Sequence, residues 1–318
     1  MKKKILITGS SGFIGYHLCK HILSKNFEVI GVDNHNKYYS RSLKEKRLSI
    51  LRRDKTFKFI KVDLVNEKKL EKVFKKHEPS LVFHLAGQPG VLYSFKNPNS
   101  YYVNNVKATK IICKISKKYK VIKFILGSSS SVYGDQKIFP IKENVKLNPK
   151  NVYAKTKLKS EEIVKKNFIK TKTSFIIFRF FTVYGPLGRP DMFIHKFLNH
   201  LRKKRLIKIY NNGMNLRDFT FIDDVVKILI KSININLNNI VINICRSKPV
   251  LTKVLVNLIL KNFPTKNFKY KNVESMKGEM LKTHGSNIKL KKIFGKIKFT
   301  DINKGLNKTI KSYLKYKM

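Results

Sequence analysis

The segment Lys4-Ile-Leu-Ile-Thr8-Gly-Ser-Ser-Gly-Phe-Ile-Gly15 joins a short apolar run to a turn that contains three glycines. The run predicts a buried strand, and the residues that follow, to about Lys25, predict a helix. Residues 28–33 predict a second strand, which ends at Asp33. Glycines at such a turn let the backbone turn tightly and let a diphosphate approach the helix N-terminus. The glycine triplet alone is a weak indication, but together with the strand before it and the acid after it, it predicts a dinucleotide-binding unit.

Asp33 indicates which dinucleotide to expect. A carboxylate at the end of the second strand can accept hydrogen bonds from the two hydroxyls of a ribose. The same negative charge would repel a 2′-phosphate. We therefore expect NAD rather than NADP.

Strand and helix patterns continue to alternate along the chain. Further strands are predicted at 57–62, 81–85, 121–126 and 174–180, and helices at 101–117 and 153–167. This alternation predicts a doubly wound parallel sheet with helices on both faces, an α/β fold of the Rossmann type. Ligands bind at the carboxyl ends of the strands in such sheets.

The last third of the chain is less regular. Its patterns predict helices at 192–204, 223–233, 253–262 and 304–316, and strands at 207–210 and 240–245. We expect an NAD-binding domain over 1–182 and a smaller α/β substrate-binding domain over 183–318, with interdigitation near 219–246.

Tyr153 and Lys157 are four residues apart, so a helix would place both side chains on one face. We expect Lys157 to be a fixed positive charge. That charge would favour the phenolate form of Tyr153 and lower the tyrosine pKa from about 10. Such a tyrosine can take a proton from a sugar hydroxyl near neutral pH, and Ser129 can supply a hydroxyl to the same substrate oxygen. The alternative is an exposed helix face, because lysine is abundant throughout this chain.

The chain carries 69 Lys and Arg against 19 Asp and Glu, a formal net charge of +50. Such a charge normally indicates binding to nucleic acid or to an anionic membrane. Here the lysines are scattered over every segment, so we expect no dedicated nucleic-acid binding. The positive field should still attract an anionic substrate.

Cysteine spacing and hydropathy indicate the compartment. Cys19, Cys113 and Cys245 lie far apart, which predicts neither a disulfide nor a metal site and favours a reducing environment. The glycine turn interrupts the N-terminal apolar run, and no later run reaches about 18 apolar residues. We therefore expect a cytoplasmic protein without membrane insertion.

Taken together, these motifs resemble the extended short-chain dehydrogenase/reductases of the NAD-dependent sugar epimerase/dehydratase family. The resemblance runs nearly end to end and is carried by residues 8–15, 33–34, 63–64, 84–87, 128–134, 153–157, 179–185 and 217–224. Within the family, residues 32–39 and 181–192 are most similar to UDP-glucuronate 4-epimerases.

The resemblance implies roles for individual residues. The catalytic set is Ser129, Tyr153 and Lys157. NAD is expected to contact Gly9, Gly12, Phe13, Ile14, Gly15, Asp33, Asn34, Asp63, Leu64, Leu85, Ala86, Gly87, Gln88, Asn104, Tyr153, Lys157 and Phe181. The UDP-sugar is expected to contact Ser129, Ser130, Ser131, Thr182, Arg189, Met192, Tyr210, Arg217 and Lys277.

Three of these substrate contacts have a more specific expected role. Arg189 would face the uronate carboxylate, Arg217 a phosphate, and Tyr210 the uracil. Plain alternatives remain, with Phe181 packing in a core and both arginines on a solvated surface. The resemblance also implies a homodimer through the helices at 101–117 and 153–167.

Two positions depart from the pattern of UDP-glucuronate 4-epimerases. Leu92 stands where those enzymes carry an arginine. Residues 276–279, Met-Lys-Gly-Glu, stand where relatives usually have a Gly-Asp, often preceded by an arginine. Lys277 can still contact a phosphate. These departures leave UDP-glucose and UDP-N-acetylglucosamine as alternative substrates. A non-catalytic NAD-binding protein is a further alternative.

Ser130 and Ser131 bear on the type of reaction. Family 4,6-dehydratases place Asp-Glu at these positions and UDP-glucuronate decarboxylases place Glu there, so the absence of a carboxyl group disfavours both reactions. The remaining chemistry is 4-epimerisation. Tyr153 would take the C4 hydroxyl proton while hydride passes to NAD and then returns to the other face of the sugar.

Overall fold

The computed structural model describes residues 3–25, 27–237, 239–264, 268–274 and 280–316. In chain order, the strands are β1 (Lys4–Thr8), β2 (Glu28–Asp33), β3 (Phe57–Lys61), β4 (Leu81–His84), β5 (Lys123–Ser129), β6 (Ser174–Phe180), β7 (Thr182–Tyr184), β8 (Ile207–Tyr210), β9 (Leu216–Arg217), β10 (Phe219–Phe221), β11 (Ile240–Ile244), β12 (Val250–Leu251) and β13 (Tyr270–Val273).

The helices are α1 (Phe13–Leu23), α2 (Arg41–Leu51), α3 (Glu67–His77), α4 (Val91–Lys96), α5 (Pro98–Tyr101), α6 (Ala108–Lys118), α7 (Val152–Phe168), α8 (Phe193–Arg202), α9 (Ile222–Asn234), α10 (Thr252–Asn262), α11 (Ile288–Phe294) and α12 (Ile302–Tyr316). A π-helical turn, Tyr102–Lys107, joins α5 to α6, and a 3-10 turn, Ser130–Tyr133, follows β5. Within the described ranges, no helix is long and apolar enough to cross a membrane.

The central sheet has the strand order β11-β6-β5-β4-β1-β2-β3. Strand β1 pairs in parallel with both β2 and β4. The chain therefore adds β2 and β3 on one side of β1, and then crosses over to add β4 and the later strands on the other side. In open α/β sheets, this reversal marks the ligand-binding edge. The predicted Rossmann-type sheet is confirmed.

The sheet strands are apolar runs because both faces of the sheet are covered. Ile5, Leu6 and Ile7 of β1 are fully buried, and so are Phe124 and Ile125 of β5. Burying each such side chain stabilises the fold by about 1.5–3 kcal/mol relative to exposure. This burial fixes the strand ends, and hence the residues that follow them, in place.

The chain divides into two compact units. The first comprises Met1–Gly134, Lys146–Phe180 and Val226–Ile242, and the second Asp135–Val145, Phe181–Val225 and Asn243–Met318. The final segment of the first unit, Val226–Ile242, lies within the range 219–246 where interdigitation is predicted. The segment at 135–145, which the sequence analysis assigned to the NAD-binding domain, clusters instead with the second unit.

Lys123, the first residue of β5, connects the sheet to the end of α9. Its buried ammonium group donates to the carbonyl oxygens of Ser232, Ile233 and Ile235 at 3.0, 3.1 and 2.6 Å. A cation at a helix C-terminus satisfies carbonyls that have no partner within the helix. This contact ties the residues after 225 to the first unit.

Candidate active site

The glycine turn between β1 and α1 leaves no space for side chains. Gly9 has φ +70°, and a Cβ there would lie 2.9 Å from the backbone of Ala86. A Cβ on Gly15 would lie 2.1 Å from the carbonyl oxygen of Gly9. Helix α1 begins at Phe13, and the amides of its first turn have no partner within the helix. Such amides attract the diphosphate of a dinucleotide.

Acidic and amide side chains follow β2 and β3. Asp33 Oδ2 accepts from the amide of Ser11 at 3.1 Å, and Asp33 Oδ1 accepts from the amide of His35 at 2.8 Å. Asn34 Nδ2 donates to Asp63 Oδ2 at 3.0 Å. The carboxylate of Asp33 is thus held beside the glycine turn, where a ribose diol would be recognised. The glycine turn, the helix amides and this carboxylate together fit NAD.

A buried histidine that the sequence analysis did not assign a role supports the end of β4. His84 Nδ1 lies 2.8 Å from Thr8 Oγ1 and its Nε2 3.0 Å from Thr109 Oγ1, while the amide of Ala86 donates to Thr8 Oγ1 at 3.1 Å. Burial, with a smaller effect from the charge of Lys157, lowers the pKa of His84 from 6.5 to about 3. The ring is therefore neutral and structural, and it fixes the backbone at Ala86.

Asn105, rather than Asn104, meets the backbone after β4. Asn105 Oδ1 accepts from the amide of Gln88 at 2.7 Å, and its Nδ2 donates to the Gln88 carbonyl at 3.1 Å and to Thr156 Oγ1 at 3.0 Å. Asn104 Nδ2 donates to the carbonyl of Ser100 at 2.7 Å, one turn earlier. Two adjacent asparagines look equivalent in the sequence, and the π-helical turn decides which of them faces inward.

The serine cluster stands at the carboxyl end of β5. Ser129 is the last residue of the strand, its Oγ donates to Ser131 Oγ at 3.1 Å, and it accepts from the Ser131 amide at 3.2 Å. Ser130 and Ser131 are partly buried in the following turn. Tyr153 is the second residue of α7, which Asn151 caps by accepting from the Ala154 amide at 2.9 Å.

Lys157 lies one turn after Tyr153 on α7 and is buried. Its Nζ donates to the carbonyl oxygen of Gly127 at 2.6 Å. Burial lowers the pKa of Lys157 from 10.5 to about 8, and the nearby carboxylate of Glu161 opposes part of that shift. At pH 7 this amine is still mostly protonated, but its charge is not fixed, because a pKa of about 8 makes it titrate just above neutral pH.

In the second unit, Phe181 and Thr182 lie in a tightly packed region. A Cβ on Gly285 would lie 2.4 Å from the Phe181 ring, and the amide of Thr182 donates to the carbonyl of Asp218 at 3.1 Å. The buried carboxylate of Asp218 accepts from the amides of Gly285 and Ser247 at 3.1 and 3.2 Å. Burial raises the pKa of Asp218 to about 6. Asp218 organises the loops around Thr182, a role that the sequence analysis did not assign.

Arg189 forms an ion pair within its own loop. Its Nε and Nη2 donate to Asp191 Oδ1 and Oδ2 at 3.0 and 2.5 Å, and the arginine side chain is 18% exposed. The amide of Met192, the residue before α8, donates to the carbonyl of Arg189 at 3.2 Å. The guanidinium is therefore oriented by a carboxylate two residues away, which the sequence analysis did not anticipate.

The other predicted substrate residues of the second unit occupy strand ends. Arg217 Nη1 donates to the carbonyls of Leu216 and Leu281, both at 3.0 Å. Tyr210 ends β8 opposite Val273 of β13. Lys277 lies outside the described residues. In the first unit, Leu92, which replaces the expected arginine, is 48% exposed on α4.

Comparison with known proteins identifies the family. The model of the NAD dependent epimerase/dehydratase family matches residues 5–245. The chain belongs to this family. The predicted NAD cofactor and the predicted enzyme class, an NAD-dependent nucleotide-sugar epimerase, are thereby confirmed.

Several of the similar proteins are named UDP-glucuronate 4-epimerases. A probable UDP-glucuronate 4-epimerase of Rhizobium meliloti is 38% identical over 72% of this chain and 67% of its own length. A UDP-glucuronate 4-epimerase of Thermodesulfobacterium geofontis is 37% identical over 72% of this chain and 71% of its own. The crystal structure of UDP-glucuronic acid 4-epimerase from Bacillus cereus, in complex with UDP-glucuronic acid and NAD, superposes with a TM-score of 0.92 at 30% identity over 98% of this chain and 99% of that one.

Proposed function

We propose that this epimerase interconverts UDP-glucuronate and UDP-galacturonate by inverting C4 of the sugar. The observation that carries the choice of sugar is Arg189, an arginine oriented by Asp191 on the loop after β7. A planar guanidinium suits a carboxylate because it donates two parallel hydrogen bonds. The relatives named for this reaction support the same choice.

The Arg189–Asp191 pair limits how a uronate carboxylate can bind. Asp191 already accepts from Nε and Nη2, so a uronate carboxylate would bind the guanidinium beside Asp191 or in its place. An acidic sugar is favoured over a neutral one because only a carboxylate can accept two parallel charge-assisted hydrogen bonds from the guanidinium.

The chemistry at C4 falls to Tyr153, Ser129 and Lys157. Tyr153, as a phenolate, accepts the proton of the C4 hydroxyl, and Ser129 forms a hydrogen bond with the same oxygen. The ammonium form of Lys157 stabilises the phenolate. Bound NAD supplies the reversible acceptance of hydride that removes and restores the stereocentre. Tyr153 returns its proton when the hydroxyl is restored in the opposite configuration.

The serine cluster disfavours the neighbouring reactions of the family. Ser130 and Ser131 can donate and accept hydrogen bonds, but neither can serve as the acid or base that elimination of water or loss of CO₂ requires. The C4 ketone is therefore reduced again rather than carried further.

The remaining contacts are proposed from the family resemblance. Arg217 and Lys277 bind the diphosphate, Tyr210 the uracil, and Thr182 and Met192 the sugar. The enzyme assembles as a homodimer through α6 and α7, which light scattering tests directly.

A neutral UDP-hexose is the second candidate substrate. It is favoured by Leu92, an exposed apolar side chain where a second cation for an acidic sugar is expected. The test is incubation of the purified protein with UDP-glucuronate, UDP-glucose or UDP-N-acetylglucosamine, followed by NMR of the H1 and H4 signals. Galacturonate signals from the first sugar alone support the proposal, whereas conversion of a neutral sugar alone refutes it.

A further inference from the structure

Glu161 is a buried carboxylate that the reaction described above does not use. It lies one turn after Lys157 on α7 and is fully buried. Its Oε1 accepts from Ser128 Oγ at 2.5 Å and from Arg179 Nε at 3.0 Å, and its Oε2 accepts from Arg179 Nη2 at 2.7 Å. Burying a carboxylate is costly unless it is paired and hydrogen-bonded, so this position is built around a negative charge.

The partners of Glu161 belong to the strand ends beside the serine cluster. Ser128 and Arg179 are directly paired residues of β5 and β6. The Arg179 guanidinium also lies 4.8 Å from the centre of the Tyr133 ring, in the turn that follows Ser129. Although burial opposes it, pairing with Glu161 raises the pKa of Arg179 above its ordinary value. Arg179 therefore stays charged.

Helix α7 thus forms hydrogen bonds with two successive residues at the end of β5. Lys157 donates to the carbonyl of Gly127 at 2.6 Å, and Glu161, one turn later, accepts from the hydroxyl of Ser128. The next residue along β5 is Ser129. Since Tyr153 lies on the same helix, these two contacts set the position of Ser129 relative to Tyr153.

The titratable groups around Lys157 belong to three elements. On α7 itself, Glu161 favours its ammonium form, and so does Tyr153 whenever it is a phenolate. On β4, His84 is neutral. On β6, Arg179 is paired with Glu161. Removing the Glu161 carboxylate would leave the effect of burial on the ammonium form unopposed.

We propose that Glu161 is a positioning residue for the reaction: through Ser128 it holds the strand end that carries Ser129, and through its charge it keeps Lys157 an ammonium group beside Tyr153. This inference rests on the proposed roles of Tyr153 and Lys157. It does not depend on which UDP-sugar is the substrate.

The test compares Glu161→Gln with Glu162→Gln. Glu162 is the next residue of the same helix, but it is exposed and paired with Lys159 at 2.9 Å, so its substitution removes the same charge without touching the network. With whichever UDP-sugar the wild type converts, kcat and KM are measured from pH 6 to pH 9.5. Glu161→Gln is expected to lower kcat, with little change in KM. The basic limb of its profile should move about one unit toward lower pH, so that the loss grows about tenfold across that limb. Glu162→Gln should stay within about twofold of the wild type throughout.

The buried charge of Arg179, left without its carboxylate, could prevent Glu161→Gln from folding. A second variant tests the inference in that event. Glu161→Gln/Arg179→Met removes both charges. Its profile should keep the displaced basic limb, because the carboxylate is still missing. A wild-type profile in Glu161→Gln, or a profile restored to wild type in the double variant, would show that Glu161 acts only through the fold and would overturn the inference.

A measurement without substrate separates this inference from the proposed function. The phenolate of Tyr153 absorbs near 295 nm, and subtracting the titration of Tyr153→Phe from that of the wild type isolates it. The same subtraction in the Glu161→Gln background should show the phenolate forming at higher pH. Unchanged titration would overturn the inference even if UDP-glucuronate is converted, and a displaced titration would support it even if none of the three sugars is converted.

Discussion

Replacing Lys157 with methionine should change how the stability of the protein depends on pH. The folded amine has a pKa of about 8 instead of 10.5 because it is buried. Each unit of difference corresponds to about 1.4 kcal/mol, so keeping this group charged destabilises the fold by about 3 kcal/mol below pH 8. Between the two pKa values the unfolded chain binds more protons than the folded one, and the free energy of unfolding therefore rises with pH.

Lys157→Met removes this dependence and also removes the hydrogen bond to the Gly127 carbonyl. Loss of a partner for a buried carbonyl costs about 1–3 kcal/mol at every pH. At pH 7 the two effects nearly cancel, and the variant should be about as stable as the wild type. At pH 9.5 the wild type has recovered about 2 kcal/mol, and the variant should be less stable by about that amount.

The assay is urea unfolding of both proteins without NAD at pH 7, 8.5 and 9.5, followed by subtraction of the free energies of unfolding. The other lysines titrate in both proteins and cancel in the difference. Lys155→Met, an exposed position of the same helix, is the matched control and should show no change in the difference with pH. A difference between Lys157→Met and the wild type that stays constant from pH 7 to pH 9.5 would refute the reasoning.

Four further substitutions test other contacts. Tyr153→Phe should reduce kcat by about a thousandfold with NAD binding intact, because it removes only the proton-transfer group; turnover above half of the wild type would contradict this. Asp33→Ala should weaken NAD binding by about tenfold in a fluorescence titration, and equal affinity of the wild type for NADP would oppose the assigned role. Arg189→Ala should lower kcat/KM for UDP-glucuronate by about ten- to a hundredfold and leave any activity on UDP-glucose nearly unchanged; equal losses would mean that Arg189 is structural. Lys123→Met should destabilise the protein by about 3 kcal/mol in urea unfolding, since three carbonyls lose their donor, and an unchanged midpoint would show that water replaces the ammonium group.

The central sheet could be predicted from the sequence because its strands are buried on both faces. Apolar runs such as residues 4–8 and 174–180 therefore stand out, and the glycine turn and Asp33 identify the first strand pair. Helices α2 and α3 gave no comparable signal. Both are rich in lysine and arginine taken together and carry only three or four apolar residues each, so their inward faces are narrow.

The details of the site that the sequence could not predict depend on tertiary contacts. Nothing local distinguishes Asn105 from Asn104, because both lie in the π-helical turn and only its tertiary packing gives their side chains different partners. The charge of Lys157 follows from its burial, and burial depends on the surrounding strands. The Arg189–Asp191 pair lay within a recognised motif, yet sequence spacing alone does not show whether an arginine meets a neighbour or a ligand.

The place of β11 in the sheet has a consequence for synthesis of the chain. Strand β11 covers the outer edge of β6, yet roughly 60 residues separate the end of β6 from the start of β11. At a translation rate of about 5–20 residues per second, β6 waits several seconds with that edge unpaired. Its sequence, Ser-Phe-Ile-Ile-Phe-Arg-Phe over residues 174–180, is the kind of exposed edge on which nascent chains associate. The ribosome-bound chain thus passes through a stage in which one missing strand leaves an apolar edge of the sheet open to other chains.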